Sequence, residues 1–185
     1  MSIVGDASLS EIDALKPVLG ELGFGLAEKA AIKGMQRLPP NDIRLLLRYD
    51  IRAMRSMPPD VCIALVNNEL SASEQTKIGV GYQNQLSRES LREYLALNRR
   101  AIHAYFSNFS TGRRISPSQE KIASDTYLQR MLEHSHSEML VEVLANPDRH
   151  SDAKRCWALS DASVIAVEEP GLIGDWLIVW MINQY

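Results

Sequence analysis

The chain has 185 residues, 45% of them hydrophobic and 23% charged, which suits one compact domain with its own core and excludes disorder as the default. Two cysteines, Cys62 and Cys156, are too few for a disulfide framework and lack Cys-x-x-Cys spacing, so they read as small buried hydrophobes. The longest apolar run, Trp176 to Ile182, falls far short of the ~20 residues a membrane-spanning helix needs.

Turn signals come at short intervals, and the segments between them have helical length and period. Ser8-Leu9-Ser10-Glu11 has capping-box spacing, and Ile12, Leu15, Leu19 and Leu22 follow on one face, with Pro17 set to kink that helix. A second helix is expected from Leu26 to Arg37. Pro39-Pro40 ends it, and Asn41 or Asp42 caps a third helix to about Met57. Val61 to Leu70 reads as a short buried helix. Ser71-Ala72-Ser73-Glu74 is a second capping box, and its helix carries Gly79 and Gly81. Ser87 opens a helix to about Phe106 whose expected core face is Leu91, Leu95 and Ile102, flanked by Tyr94 and Tyr105.

Ser107 to Ile115 is the clearest loop. Ser116-Pro117-Ser118-Gln119 joins an N-cap, a proline at the first helical position and a capping-box glutamine. The helix it starts is expected to run to Ala145 with Leu128, Met131, Leu132, Ser135, Met139 and Val143 inward. After Asn146-Pro147-Asp148, Ser151 caps a helix whose expected core positions are Ala153, Cys156, Trp157, Ser160, Val164 and Val167. Leu172 to Tyr185 is apolar all round, which places it centrally or in an interface. Helix is the favoured reading there, with a small hairpin over 163–182 as the alternative. The fold class is therefore all-α: one domain over residues 1–185, an array of about eight or nine helices.

Charge is segregated: residues 1–36 carry −2, residues 37–114 carry +5 and residues 115–185 carry −6. A basic middle beside an acidic end implies either an acidic partner or two halves of one chain that attract each other. Within the basic part, Arg44, Arg48, Arg52 and Arg55 fall within a stripe about 80° wide on the third helix, able to hold carboxylates or phosphates in bidentate fashion. The loop with Phe109, Arg113 and Arg114, preceded by Arg99, Arg100 and His103, is a second basic candidate with an aromatic residue for contact.

Asp50 sits mid-way across the apolar face of the third helix, where a carboxylate needs a partner. Asn98 raises the same question and is expected to bond backbone. His134 and His136 point about 200° apart on a continuous helix, so they cannot share one metal ion. No dinucleotide fingerprint, phosphate loop, zinc-protease motif, nucleophile elbow or EF-hand loop occurs, and neither cofactor nor metal is expected.

The expected function is a helical protein–protein interaction module: an adaptor, regulator, immunity-type inhibitor or effector rather than an enzyme. It docks an acidic protein through Arg44, Arg48, Arg52, Arg55, Arg99, Phe109, Arg113 and Arg114. One alternative is nucleic-acid binding by the same residues, against which the sequence pI of about 5.8 argues. The other is an enzyme or small-ligand binder with a pocket between helices around Asp50 or His103. The C-terminal apolar segment is a candidate homo-oligomer seam, and no membrane partner is expected. The start of the chain, Met1 to Asp6, lacks a basic region followed by an apolar one. The expectation is a cytoplasmic protein, or one exported without a cleaved signal.

Overall fold

The structure is a computed structural model that describes residues 30–31, 33–107 and 114–183. The expectations for Ser8 to Leu22, Phe109 and Arg113 lie outside those residues. Among the described residues all regular structure is helical and no strand occurs. Helical residues 30–31 and 33–35 lead into a turn that ends near Leu38. Then follow α1 (Pro40–Ser56), α2 (Pro59–Val66), α3 (Ala72–Gln83), α4 (Arg88–Phe106), α5 (Pro117–Glu133) and α6 (Ser137–Ala145). A 3-10 turn (Pro147–Arg149) precedes α7 (Asp152–Glu168) and α8 (Gly171–Ile182). The all-α array is present, and 163–182 is the end of α7 and the whole of α8 rather than a hairpin.

Local chemistry sets most helix ends. Ser71 with Glu74, and Ser116 with Gln119, form full capping boxes, and the Ser87 hydroxyl accepts from the Ser90 amide. Prolines open α1 and α2 instead of polar caps. Pro40 and Pro59 take the first helical positions, where a missing N–H leaves no bond unmade, so neither Asn41 nor Asp42 caps α1. For the same reason α2 begins two residues before Val61. It stops at Val66, and Asn68 turns the chain with a φ of 57°.

The helix expected to reach Ala145 breaks at His134, which leaves helical dihedrals (φ −64°, ψ 143°), and α6 restarts at Ser137. The break resets the helical phase. Met131 and Val143 are buried as expected, Leu128 and Leu132 are 57% and 69% exposed, and Leu140 is buried in place of Met139. On α5 the inward side is the Ala123–Tyr127–Met131 row. Ala123 has no side-chain bulk to hold α8 away and packs with Ala166 and Leu177. The Tyr127 hydroxyl donates to the Ala162 carbonyl at 3.1 Å.

The expected face of α4 shifts in the same way. Leu97 and Ala101 are fully buried while Leu95 is 49% exposed. Ala101 matters because Gly34 lies against its backbone, where any Cβ on residue 34 would collide with the Ala101 carbonyl. Arg37 then donates to the Ala104 and Tyr105 carbonyls, both at 2.9 Å, and closes the C-terminus of α4.

Helix α7 is the hub. It packs on α1, α2, α5, α6 and α8. It supplies Val167, Ala158, Cys156 and Ala166 to four separate hydrophobic clusters. Being enclosed on several sides, it buries Ala158, Ala162 and Ala166, whereas Ala153, in its first turn, is exposed.

Cys62 of α2 and Cys156 of α7 are joined in a disulfide across 94 residues of sequence, with Cα atoms 6.0 Å apart. This corrects the reading of both as unpaired small hydrophobes. They are as buried as expected, but the packing of α2 on α7 brings them together, and no local spacing signals that. Leu177, Ile178, Val179 and Ile182 of the C-terminal apolar segment are buried within the chain, leaving Leu172 and Ile173 exposed on its first turn.

Candidate functional site

The arginine row of α1 divides in two. Its ends are tied to the acidic part of the chain. Arg44, with only 15% of its side chain exposed, pairs with Asp175 of α8 at 3.1 Å. Arg55 pairs with Asp161 of α7 and approaches the Ser160 hydroxyl at 3.5 Å. The two charged segments of the sequence therefore do attract each other across α1. Between those ends, Arg48 and Arg52 are exposed and form no ion pair among the described residues. Of the other basic candidates, Arg99 and Arg114 are exposed without an ion pair among the described residues, while Arg100 pairs with Asp42 at 3.0 Å. His103 is exposed on α4. Phe109 and Arg113 lie outside the described residues, so the loop is not brought to the arginine row by anything observed.

Past Arg55 the row runs into an open hollow of about 430 Å³ between the C-terminal end of α1, the start of α2 and α7. Its wall is mostly apolar: Met54, Met57, Pro59 and Trp157, with Cys156 beside them, and Arg55 and Asp161 supply the charge. Cys156 Sγ, having no proton once oxidised, simply packs 3.7 Å from the Met54 carbonyl oxygen. The break after α5 brings two histidines to the same side of the molecule. His134 Nε2 stands 3.7 Å from the Asp161 carboxylate, and the His136 ring is 6.2 Å from Trp157. The two histidine rings are 6.1 Å apart, nearer than a continuous helix would hold them. Among the described residues no group of three or more His, Cys, Asp or Glu is placed to hold a metal.

Sequence reasoning found the arginines and missed this hollow. Its walls come from residues 54–59 and 153–161, and only the tertiary packing of α7 across α1 and α2 unites them. The one available signal was the pair of methionines beside the prolines at the α1–α2 corner.

A second polar place surrounds Asp50. The neighbours of Asp50 around the helix, Ile43, Leu46 and Ala53, are all buried, yet Asp50 itself is exposed to water. It therefore occupies a wet recess on the inward side of α1. It has no ion pair or hydrogen bond among the described residues, and surrounding protein removes enough hydration to raise its carboxyl to about 6. Burial, and then the Asp50 charge, raise the Tyr94 phenol. Burial likewise raises that of Tyr82, with the Arg52 charge opposing and the Asp50 charge adding. Tyr94 stacks edge-on against Tyr49 and Tyr82, with ring centroids 5.3 and 6.3 Å away. The Tyr49 hydroxyl donates to Glu93 at 2.7 Å, whereas the Tyr82 oxygen is buried without a hydrogen-bond partner among the described residues. Asn98 donates to the Tyr94 backbone carbonyl at 2.9 Å, the backbone role expected of it.

A further junction was not anticipated. Glu169, almost fully buried at the end of α7, receives two bonds from Arg130 of α5, at 2.7 and 3.3 Å. Arg130 also pairs with Glu133 at 2.8 Å, and the hydrogen bonds it donates to these two carboxylates hold its guanidinium above its ordinary value. Gly174 lets the first turn of α8 lie on the Glu169 carbonyl and beside the Arg44 guanidinium, where a Cβ would collide.

No protein-family model, curated protein or solved structure matches this chain.

Proposed function

We propose that this chain is a helical binding module that docks an acidic protein segment through Arg48, Arg52 and Arg55. One observation carries the reading. Among the described residues, acids of the chain meet the two ends of the row of four arginines and none meets the middle, so Arg48 and Arg52 present guanidinium groups on an exposed helix face with no ion pair among those residues. Guanidinium groups in such a row match carboxylates bidentately, and complementary charge speeds encounter and sets register. Among the described residues Arg55 uses two of its five N–H groups, and half of its side chain is exposed, which leaves donors for a partner.

The place of action is part of the same reading. No helix among the described residues is long and apolar enough to cross a membrane. The Cys62–Cys156 disulfide favours an oxidising compartment, where such bonds persist, over the cytoplasm.

The test is a tagged capture of the full chain from lysate of its source, with and without nuclease, run beside R48E/R52E. A stoichiometric protein that survives nuclease and is lost with the charge reversal is the expected result. Partners lost on nuclease treatment would replace the reading with nucleic-acid binding, which should also show a steep salt dependence. Capture that is indifferent to the charge reversal would overturn it.

A further inference from the structure

We infer that the hollow at the end of the arginine row is an anchor pocket for one large apolar side chain of an acidic segment bound in extended form. The inference rests on the docking proposed above and adds what the arginines alone lack, a site that fixes register.

Three observations lead to it. The hollow and the arginine row share a residue: Arg55 is both the last member of the row and part of the hollow's wall. An acidic chain lying along Arg48 and Arg52 is therefore delivered to the opening. The wall itself suits an apolar guest. Met54 and Met57 are adaptable, polarisable side chains, the kind used on surfaces that mould around a partner, and Trp157 offers an aromatic face. Finally, at about 430 Å³ the hollow lies at the lower end of the range of ~300–1,000 Å³ typical of ligand pockets, enough for a side chain with part of its backbone. It is also open, as a peptide site must be.

Spacing makes the inference specific. Along α1, Arg48 to Arg52 is a rise of about 6 Å and Arg52 to Arg55 about 4.5 Å. An extended peptide advances about 3.3 Å per residue. The matching segment carries two acidic residues two positions apart, then an aromatic or long aliphatic residue one or two positions later. The carboxylates meet Arg48 and Arg52. The apolar side chain enters between Met54, Met57 and Trp157, and its flanking backbone carbonyl is in reach of the Arg55 guanidinium at the rim.

The test uses blocked synthetic peptides and the full oxidised chain in titration calorimetry. The probe has two aspartates two positions apart and a phenylalanine two positions after the second, with serine elsewhere. One control replaces the phenylalanine by serine, and the other replaces both aspartates by asparagine. The expected result is that the phenylalanine peptide binds about tenfold more tightly than its serine control. A153F, which fills the hollow from the exposed first turn of α7, should remove that advantage while leaving the aspartate dependence intact. The methyl resonances of Met54 and Met57 in the unaltered protein give a second readout, shifting with the phenylalanine peptide and not with the serine one. Equal affinity for those two peptides, with binding still lost in R48E/R52E, would overturn the anchor pocket and leave acidic docking standing. Failure of every peptide to bind at millimolar concentration would overturn both.

Discussion

Helices α7 and α3 show how differently two segments of similar polarity are held. Helix α7 touches five other helices, contributes to four hydrophobic clusters and carries one end of the disulfide. Helix α3 buries one hydrophobic residue among its described side chains, Tyr82, and both of its glycines face open space. Its N-terminus, by contrast, has the fuller cap: Ser71 and Glu74 satisfy each other's backbone amides, while the Ser151 side chain makes no such bond to α7. One helix is defined by tertiary burial and the other by local hydrogen bonding. A cap fixes where a helix begins, whereas packing of its faces supplies most of its stability in a protein.

The largest expected effect attacks the α7 side. Reducing the disulfide, or replacing both cysteines by serine, frees a loop of 94 residues in the unfolded chain and costs about 4–5 kcal/mol on the chain-entropy view. Denaturant unfolding with and without a dithiol reductant measures it. A midpoint that does not move would mean that the packing of α2 on α7 does not need the bond. Because Cys156 is part of the hollow's wall, the reduced protein should also lose selectivity for an apolar anchor before it loses its helix content.

That bond also marks where the sequence stops being readable. The starts of α3, α4 and α5 were legible because each is set within four residues, by Ser71, Ser87 and Ser116 with Pro117. The helical state of 171–182 was only favoured, because the same continuous apolar residues also suit a strand. The inward faces of α4 and α5 were not. Large aliphatics such as Leu95, Leu128 and Leu132 outweigh alanines in any periodicity reading, yet Ala101 and Ala123 are the buried positions, Ala101 against the backbone of Gly34 and Ala123 against Ala166 and Leu177. The candidate site divides along the same line. Four arginines spaced along one helix are a sequence pattern. Which of them meet Asp175 and Asp161, and that a hollow opens beyond Arg55, depend on where α7 and α8 cross α1.

A middle-sized effect tests the recess where α1, α3 and α4 meet. The Asp50 carboxyl stands at about 6 in the folded chain against an ordinary 3.8, raised by loss of hydration. Between those values the folded protein keeps the proton that the unfolded chain releases. Stability therefore falls as pH rises through this window, and the cost is fully present above about pH 6. Water reaches this side chain, so screening limits the cost to about 1 kcal/mol. D50N removes the titration. Its stability relative to the parent should rise by that amount between pH 4 and pH 7 in urea unfolding. A difference independent of pH would mean that the recess is as well hydrated as bulk water.

The smallest effect is the sharpest, because it applies one change to both kinds of helix. Ser71 and Ser116 make the same capping box: the backbone amides donate to Glu74 and Gln119 at 2.9 and 2.8 Å, and the hydroxyls accept at 3.4 and 3.3 Å. Replacing either serine by alanine removes about 1 kcal/mol of cap. In α5, whose inward row packs on α8, opening the first turn is coupled to the whole fold, so S116A should lower the global unfolding midpoint. In α3, with one buried anchor near its far end, the loss should stay local. Amide exchange at residues 74–78 should accelerate several-fold in S71A while the global midpoint stays put. Acid should reproduce this second result without mutation. Hydrogen bonds from the Ser71 hydroxyl and amide hold the Glu74 carboxyl below its ordinary value, so the support it gives α3 is present at neutral pH and lost as pH falls through that lowered value. A global shift in S71A equal to that in S116A would show that α3 is as tightly coupled to the core as α5, and the contrast between capped and packed helices would fail.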